Sequence, residues 1–122
     1  MYHGIIIDQE FADKTFPNIF RQFAVKKDGS WRIFGIEIED SQLEETINKI
    51  QENMKENEPW YAHLYNDKQL IVIFKNKVFR VESDVSFWKP IIEYGKKLKI
   101  PKEQLDFWPN RFQDEQHYFV TS

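Results

Sequence analysis

The chain has 122 residues, no cysteine, a formal net charge of -3 and an aromatic content of 16%. This length suits one domain with a core of its own, so we predict a single domain over 1–122 with a partly loose tail over 113–122. The absence of cysteine excludes disulfides, thiolate zinc sites and a cysteine nucleophile. Because we find neither a signal peptide nor an apolar run near the roughly 18 residues of a membrane span, we expect a cytoplasmic protein without membrane contact.

The N-terminal third is predicted to hold three strands and one short helix. Asp28-Gly29, between two runs with strand character, is a strong hairpin signal. Asp13 or Thr15 would cap the helix, and Pro17 suits its first turn. The predicted strands are His3 to Asp8, Phe23 to Lys27 and Trp31 to Glu39.

The stretch from Pro59 to Val81 contains the densest apolar run of the chain, Leu70 to Phe74. Five consecutive apolar residues between turn residues are typical of a strand that is buried on both faces. The strand before it alternates between two faces, and a third strand follows at Val78. One face of the alternating strand carries Trp60, Ala62 and Leu64, and the other carries Tyr61, His63 and Tyr65. The second of these faces suits another layer of the protein, a partner subunit or a small-molecule pocket.

Two longer helices are predicted, one before and one after these central strands. The first would begin at a capping box formed by Ser41 and Glu44 and end near Asn57. The second would be capped by Ser86, with Pro90 tolerated in its first turn. We therefore predict an α+β fold with a mostly antiparallel sheet of five to six strands, two main helices and the helices on one face. The first six elements follow the β-α-β-β-α-β order of a ferredoxin-like start.

Two stretches, PWYAHLYND at 59–67 and FWKPIIEYGKKLKIPKEQLDFWP at 87–109, resemble a family of small uncharacterised prokaryotic proteins. The resemblance covers most of the chain. It implies a stand-alone cytoplasmic domain and carries over no activity, cofactor or catalytic residue.

Several classes of chemistry lack support in the sequence. His3, His63 and His117 are far apart and show no metal-ligand spacing, so we predict no metal site. The chain has no GxSxG elbow and no glycine-rich phosphate loop, and we expect no cofactor. A sequence pI of about 5.6 argues against binding to nucleic acid.

His63 is the one candidate for acid–base chemistry. A neutral imidazole acts as a general base when a carboxylate orients it, and Glu37 lies on the same sheet face if the hairpin pairs with the central strands. The alternative is a half-buried structural histidine that bonds to a tyrosine or to a backbone carbonyl.

Two functions remain open. The aromatic excess and the second apolar face favour a non-catalytic module that binds a protein partner or forms a homodimer. The alternative is a small-ligand-binding protein or an enzyme with a pocket around His63. The residues predicted for this pocket or interface are Trp60, Tyr61, His63, Tyr65, Arg80 and Trp88.

Overall fold

The computed structural model of the protein describes residues 1–119, which form a six-stranded antiparallel sheet and three α-helices. The strands are β1 (Tyr2–Ile7), β2 (Arg21–Asp28), β3 (Trp31–Ile38), β4 (Tyr61–Tyr65), β5 (Gln69–Phe74) and β6 (Lys77–Glu82). The helices are α1 (Leu43–Asn53), α2 (Lys89–Lys97) and α3 (Glu115–Tyr118). The predicted α+β class and the mostly antiparallel sheet are confirmed. None of the helices in this part of the chain is long and apolar enough to cross a membrane.

The strand order is β2-β3-β1-β4-β5-β6, with every neighbouring pair antiparallel. β1 lies between β3 and β4, so the unit β3-α1-β4 is a split β-α-β. The helix predicted between the first two strands is wrong. Residues Phe16–Ile19 form only a 3-10 turn that contains Pro17, and Phe23 belongs to β2. The ferredoxin-like order therefore lacks its first helix. In its place, the link from β1 to β2 buries phenylalanine side chains such as Phe11 in the hydrophobic core.

The first face of the sheet packs under α1. Its buried side chains are mostly aliphatic, with Tyr2 and Phe34 as aromatic members, and Ile47 and Ile50 of α1 lie in the same cluster. The fully buried sheet residues of this first face are Ile6, Ile36, Ala62, Leu64 and Ile73. Met54, directly after α1, is buried in the same cluster, and Leu43 at the start of α1 packs against it.

The second face packs under α2 and under the C-terminal segment, which we define as residues 98–119. Ile91 of α2 and Phe107 of the segment are fully buried against it. The sheet residues of this second face include Ile5, Ile33, Tyr65, Leu70, Val72 and Phe74. The prediction that both helices share one face is wrong. Since β5 is apolar on both faces, each face needs a cover of its own, and the two helices lie on opposite faces.

The helices begin later than the serine caps predicted. Ser41 lies inside a 3-10 turn, Asp40–Gln42, and α1 follows it from Leu43 without a side-chain cap. Ser86 lies inside a second 3-10 turn, where its N–H donates to the Asp84 carboxylate at 2.9 Å. In both places the chain makes one tight turn before the α-helix, so the serine cannot occupy the cap position.

The C-terminal segment is fixed to α2 by close packing at a glycine. A Cβ atom at Gly95 would lie 2.6 Å from a methyl carbon of Leu105, so only glycine lets the segment approach α2 this closely. Farther along, Phe112–Asp114 forms a 3-10 turn that leads directly into α3. The last part of the tail that we predict to be loose, 120–122, lies outside the described residues.

Candidate ligand-binding site

A cavity of about 220 Å³ lies between the second face and the C-terminal segment. Its aliphatic lining comes from Ile5 and Ile7 of β1 and from Ile33 of β3. Gln104 and Asp106 of the C-terminal segment also line it. Its five aromatic walls are Trp31, Trp60, Tyr61, Trp108 and Tyr118. We call it the Glu10 cavity, after the buried carboxyl group in its wall.

Glu10 is fully buried just after the end of β1. Its Oε1 accepts a hydrogen bond of 2.6 Å from the N–H of Ile7, whereas its Oε2 is buried and has no partner among the described residues. Burial raises the pKa of Glu10 well above its usual range, and the charge of Asp8 adds to this effect. Glu10 thus offers one unused carboxyl oxygen, Oε2. Perturbed groups of this kind beside a cavity are typical of functional sites.

His63 stands on β4 and also lines the cavity. Its ring is 3% exposed, and Nε2 lies 2.8 Å from the carbonyl oxygen of Pro109. Burial lowers the pKa of His63 to about 4, and the bond to Pro109 opposes this shift only in part. The imidazole is therefore neutral at physiological pH, with Nε2–H as the donor to Pro109 and Nδ1 as the nitrogen that carries the lone pair.

The aromatic walls are held by the fold itself. Trp31 and Trp60 meet edge to face, with ring centroids 5.3 Å apart. The hydroxyl of Tyr61 donates to the carbonyl of Gln104, which ties β4 to the C-terminal segment. Tyr118 closes the cavity from α3, and burial together with Asp106 and other carboxylates raises its pKa to about 12. These contacts keep the rings in place around the space.

The structure brings only part of the predicted set to the cavity. Trp60, Tyr61 and His63 line it. Trp88 lies on the same face but packs on Phe107, with centroids 5.3 Å apart, outside the cavity lining. The structure does not bring Arg80 to the cavity. Arg80 pairs with Ile71 in the sheet, points to the first face, and makes two 2.6 Å bonds to the Glu44 carboxylate of α1.

The structure does not bring His63 and Glu37 together. Glu37 lies opposite His3 in the sheet and forms its ion pair with Arg21 at 3.4 Å. Because β1 separates β3 from β4, the Glu37 carboxylate does not reach His63, which takes the Pro109 carbonyl as its partner. The alternative interpretation of His63, a buried histidine bonded to a backbone carbonyl, describes its contacts.

Tyr65 belongs to a separate cluster on the second face. Its hydroxyl donates to Oε2 of Glu115, and the same oxygen lies 2.6 Å from Nδ1 of His3. Phe23 stacks on the His3 ring with centroids 4.4 Å apart, and the Phe112 ring packs against it at a tilt, with centroids 4.5 Å apart. This cluster fastens α3 to the sheet. Tyr65 therefore acts as an anchor for the wall that holds Tyr118, and it does not line the cavity.

The sequence predicts only Trp60, Tyr61 and His63 of the cavity lining, and the residues that it misses include Glu10, Trp31, Asp106 and Tyr118. The sequence pattern could have placed Trp31. Trp31 and Ile33 alternate with Phe34 and Ile36 along β3, and this alternation assigns Trp31 to the second face. Glu10 resembled an ordinary turn residue after a strand. Asp106 lies in a segment without periodicity, which gives no basis for placing it.

The second face is occupied by the protein's own chain. Tyr65 is fully buried and Tyr61 is partly buried, both under the C-terminal segment. Within residues 1–119, this cover buries Tyr65 completely and leaves a cavity beside His63. A homodimer through this face would require the segment to move, so self-association remains a prediction without a surface assigned to it.

Comparisons with family models, with curated proteins and with solved structures found no match. The resemblance to small uncharacterised prokaryotic proteins therefore stays a prediction. Within residues 1–119, no three histidine or carboxylate side chains are grouped so that they could hold a metal ion.

Proposed function

We propose that the protein is a non-catalytic small-molecule-binding protein that takes its ligand in the Glu10 cavity. The observation that carries this proposal is the buried Oε2 of Glu10, which lacks a hydrogen-bond partner in the wall of a preformed aromatic cavity. A buried polar atom without a partner costs about 1–3 kcal/mol. A ligand that donates a hydrogen bond to Oε2 would remove this penalty and gain contacts with the aromatic walls.

Binding without chemistry fits the state of His63 and Tyr61 in the cavity. A general base works best when its pKa lies near the operating pH. The pKa of His63 is lowered to about 4, and its Nε2 is occupied by the Pro109 carbonyl. The pKa of Tyr61 is raised by burial, so its hydroxyl stays protonated. These features support recognition more strongly than proton transfer.

The volume sets the size of the ligand. A dry cavity of about 150 Å³ holds one benzene molecule, and the Glu10 cavity measures about 220 Å³. It therefore suits a molecule of roughly six to twelve non-hydrogen atoms. Such a ligand is smaller than the drug-sized compounds that occupy larger pockets.

The four tryptophans provide the test. Trp31, Trp60 and Trp108 line the cavity, whereas Trp88 is buried on the same face outside the lining. We would record the indole N–H signals by nitrogen-15 NMR, assign each by a Trp→Phe variant, and titrate a panel of cationic, neutral and anionic fragments. We expect at least one fragment to shift the signals of the three lining tryptophans in a saturable way and to leave the Trp88 signal in place.

A filled cavity supplies the control. Ile7→Trp places a larger side chain in the lining, and Ile19→Trp adds the same side chain at a position that is 58% exposed and away from the cavity. The fragment shifts should disappear in Ile7→Trp and persist in Ile19→Trp. If no fragment up to about 10 mM shifts the lining signals of the wild type, the proposed function is wrong, since this limit already allows for very weak ligands.

A further inference from the structure

The ionisable lining of the Glu10 cavity is acidic. Glu10, Asp28 and Asp106 line it, and among the described lining residues there is no lysine or arginine. All three carboxylates act on the hydroxyl of Tyr118 and help to raise the pKa of that group, so they converge on one region of the wall. Lys26 contacts the outer wall, 4.3 Å from the centre of the Tyr118 ring, but it does not line the cavity. The field inside the cavity therefore attracts positive charge.

The aromatic lining favours the same kind of ligand. Three tryptophans and two tyrosines surround the space, and the faces of these rings attract cations. An apolar molecule would also pack on such rings, but it would leave Oε2 of Glu10 without a donor. An anion would meet three carboxylates. Only a cation uses both the rings and the carboxylates.

We propose that the ligand is an organic ammonium ion with at least one N–H, which donates to Oε2 of Glu10 while its carbon atoms pack against Trp31 and Trp60. This inference rests on the proposed function, since it names the class of ligand for the same cavity. In its ionised form Glu10 can only accept at Oε2, so the ligand must supply a donor. A charged N–H beside Oε2 favours the ionised form of Glu10 over the protonated form that burial favours, and it forms the strong type of hydrogen bond.

Three probes of nearly equal shape test the charge. Benzylammonium, benzyl alcohol and benzoate are close in size and fit the volume of the cavity, but they carry positive, zero and negative charge. At about pH 7 an alkylammonium ion keeps its proton. We would measure each dissociation constant from the indole N–H shifts and from calorimetry. We expect benzylammonium to bind about 10- to 100-fold more tightly than benzyl alcohol, as a charge-assisted hydrogen bond predicts, and benzoate not to bind.

Variants locate the effect. Glu10→Gln should weaken benzylammonium by about 10-fold or more and leave benzyl alcohol within about threefold. Glu93→Gln, on the exposed side of α2, is the matched control and should change neither. Should Glu10→Gln fold poorly, Asp106→Asn removes an exposed carboxylate of the same cavity and should weaken benzylammonium by about two- to fivefold.

The outcomes separate the two proposals. If benzyl alcohol binds as tightly as benzylammonium, the cavity binds ligands but not through their charge, and only the inference on the cation is overturned. If benzylammonium binds more tightly but neither Glu10→Gln nor Asp106→Asn weakens it, the cation is bound elsewhere and the inference is again wrong. If none of the three probes shifts the lining tryptophans, the inference fails. The proposed function is wrong as well if no fragment of the wider panel shifts the signals of the lining tryptophans.

Discussion

The two faces of the sheet belong to the same strands but differ in what covers them and in what they bury. The first face packs under one regular helix, and its buried cluster consists almost entirely of apolar side chains. The second face is covered by a helix and by an irregular segment, and it buries Glu10, His63 and Asp114 as well as a cavity. The regular cover permits close packing, whereas the irregular cover leaves space and brings polar groups from distant parts of the chain. The closely packed first face and the second face, which holds the candidate binding site, are thus the two sides of one sheet.

The largest expected difference between the faces is the cost of removing an isoleucine. Ile36 and Ile33 lie on the same strand but point to opposite faces. We expect Ile36→Ala to lower the free energy of unfolding by about 4 kcal/mol, because it opens a void in a fully packed core. Ile33→Ala should cost about 2 kcal/mol, because this side chain already borders a cavity and loses fewer contacts. Urea denaturation measures both values, and equal costs would contradict the proposed difference in packing.

The second face should also give the protein a pH dependence through His63. The folded pKa of about 4 lies below the usual value of 6.5, so the contribution of His63 is complete above pH 6.5 and is lost as the pH falls towards 4. We expect the difference in free energy of unfolding between wild type and His63→Gln to rise by about 3 kcal/mol from pH 4 to 6.5. The same difference for Ile36→Ala should stay flat across this range. A flat result for His63→Gln would show that the imidazole is not buried in neutral form.

Glu10 should act in the opposite direction. Its folded pKa is raised, so its contribution is complete below the usual value of 4.5 and is lost as the pH rises through the folded value. Over the pH range in which Glu10 is ionised in the unfolded chain but protonated in the folded protein, the free energy of unfolding of the wild type should fall by about 1.4 kcal/mol per pH unit relative to that of Glu10→Gln. Above pH 4.5 this slope opposes that of His63, so the two effects partly cancel in the wild type and the single variants separate them. If the difference in free energy of unfolding between wild type and Glu10→Gln does not fall above pH 4.5, Glu10 is ionised in the folded protein.

The first face could be predicted from sequence more fully than the second. Strand burial on both sides was visible in Leu70 to Phe74, and the alternation of β4 placed His63 on the second face, because both depend on local periodicity. The hairpin at Asp28-Gly29 was visible for the same local reason, and Gly29 has the positive φ of 61° that favours glycine.

The cavity could not be predicted because its walls come from segments that are far apart in the chain. Glu10 follows the first strand, whereas Tyr118 stands in the last helix. Only the strand order, with β1 between β3 and β4, and the return of the C-terminal segment over the sheet bring them together. Arg80 was misplaced because its face depends on its register with β5, which the sequence does not specify.

The smallest expected effect compares two tyrosine hydroxyls, one on each face. Tyr2 on the first face donates to the amide oxygen of Gln69, and Tyr65 on the second donates to the carboxylate of Glu115. Hydrogen bonds to neutral acceptors contribute about 0.5–1.5 kcal/mol, and those to charged acceptors about 1.5–3 kcal/mol. We therefore expect Tyr65→Phe to cost about 1 kcal/mol more than Tyr2→Phe in urea denaturation. Because Tyr65 also helps to fasten α3, its variant should shift the Trp108 indole signal near Tyr118, which Tyr2→Phe should leave unchanged. Equal costs with no shift of Trp108 would mean that the Glu115 contact does not hold the wall of the cavity, and the two faces would then differ in packing but not in polar support.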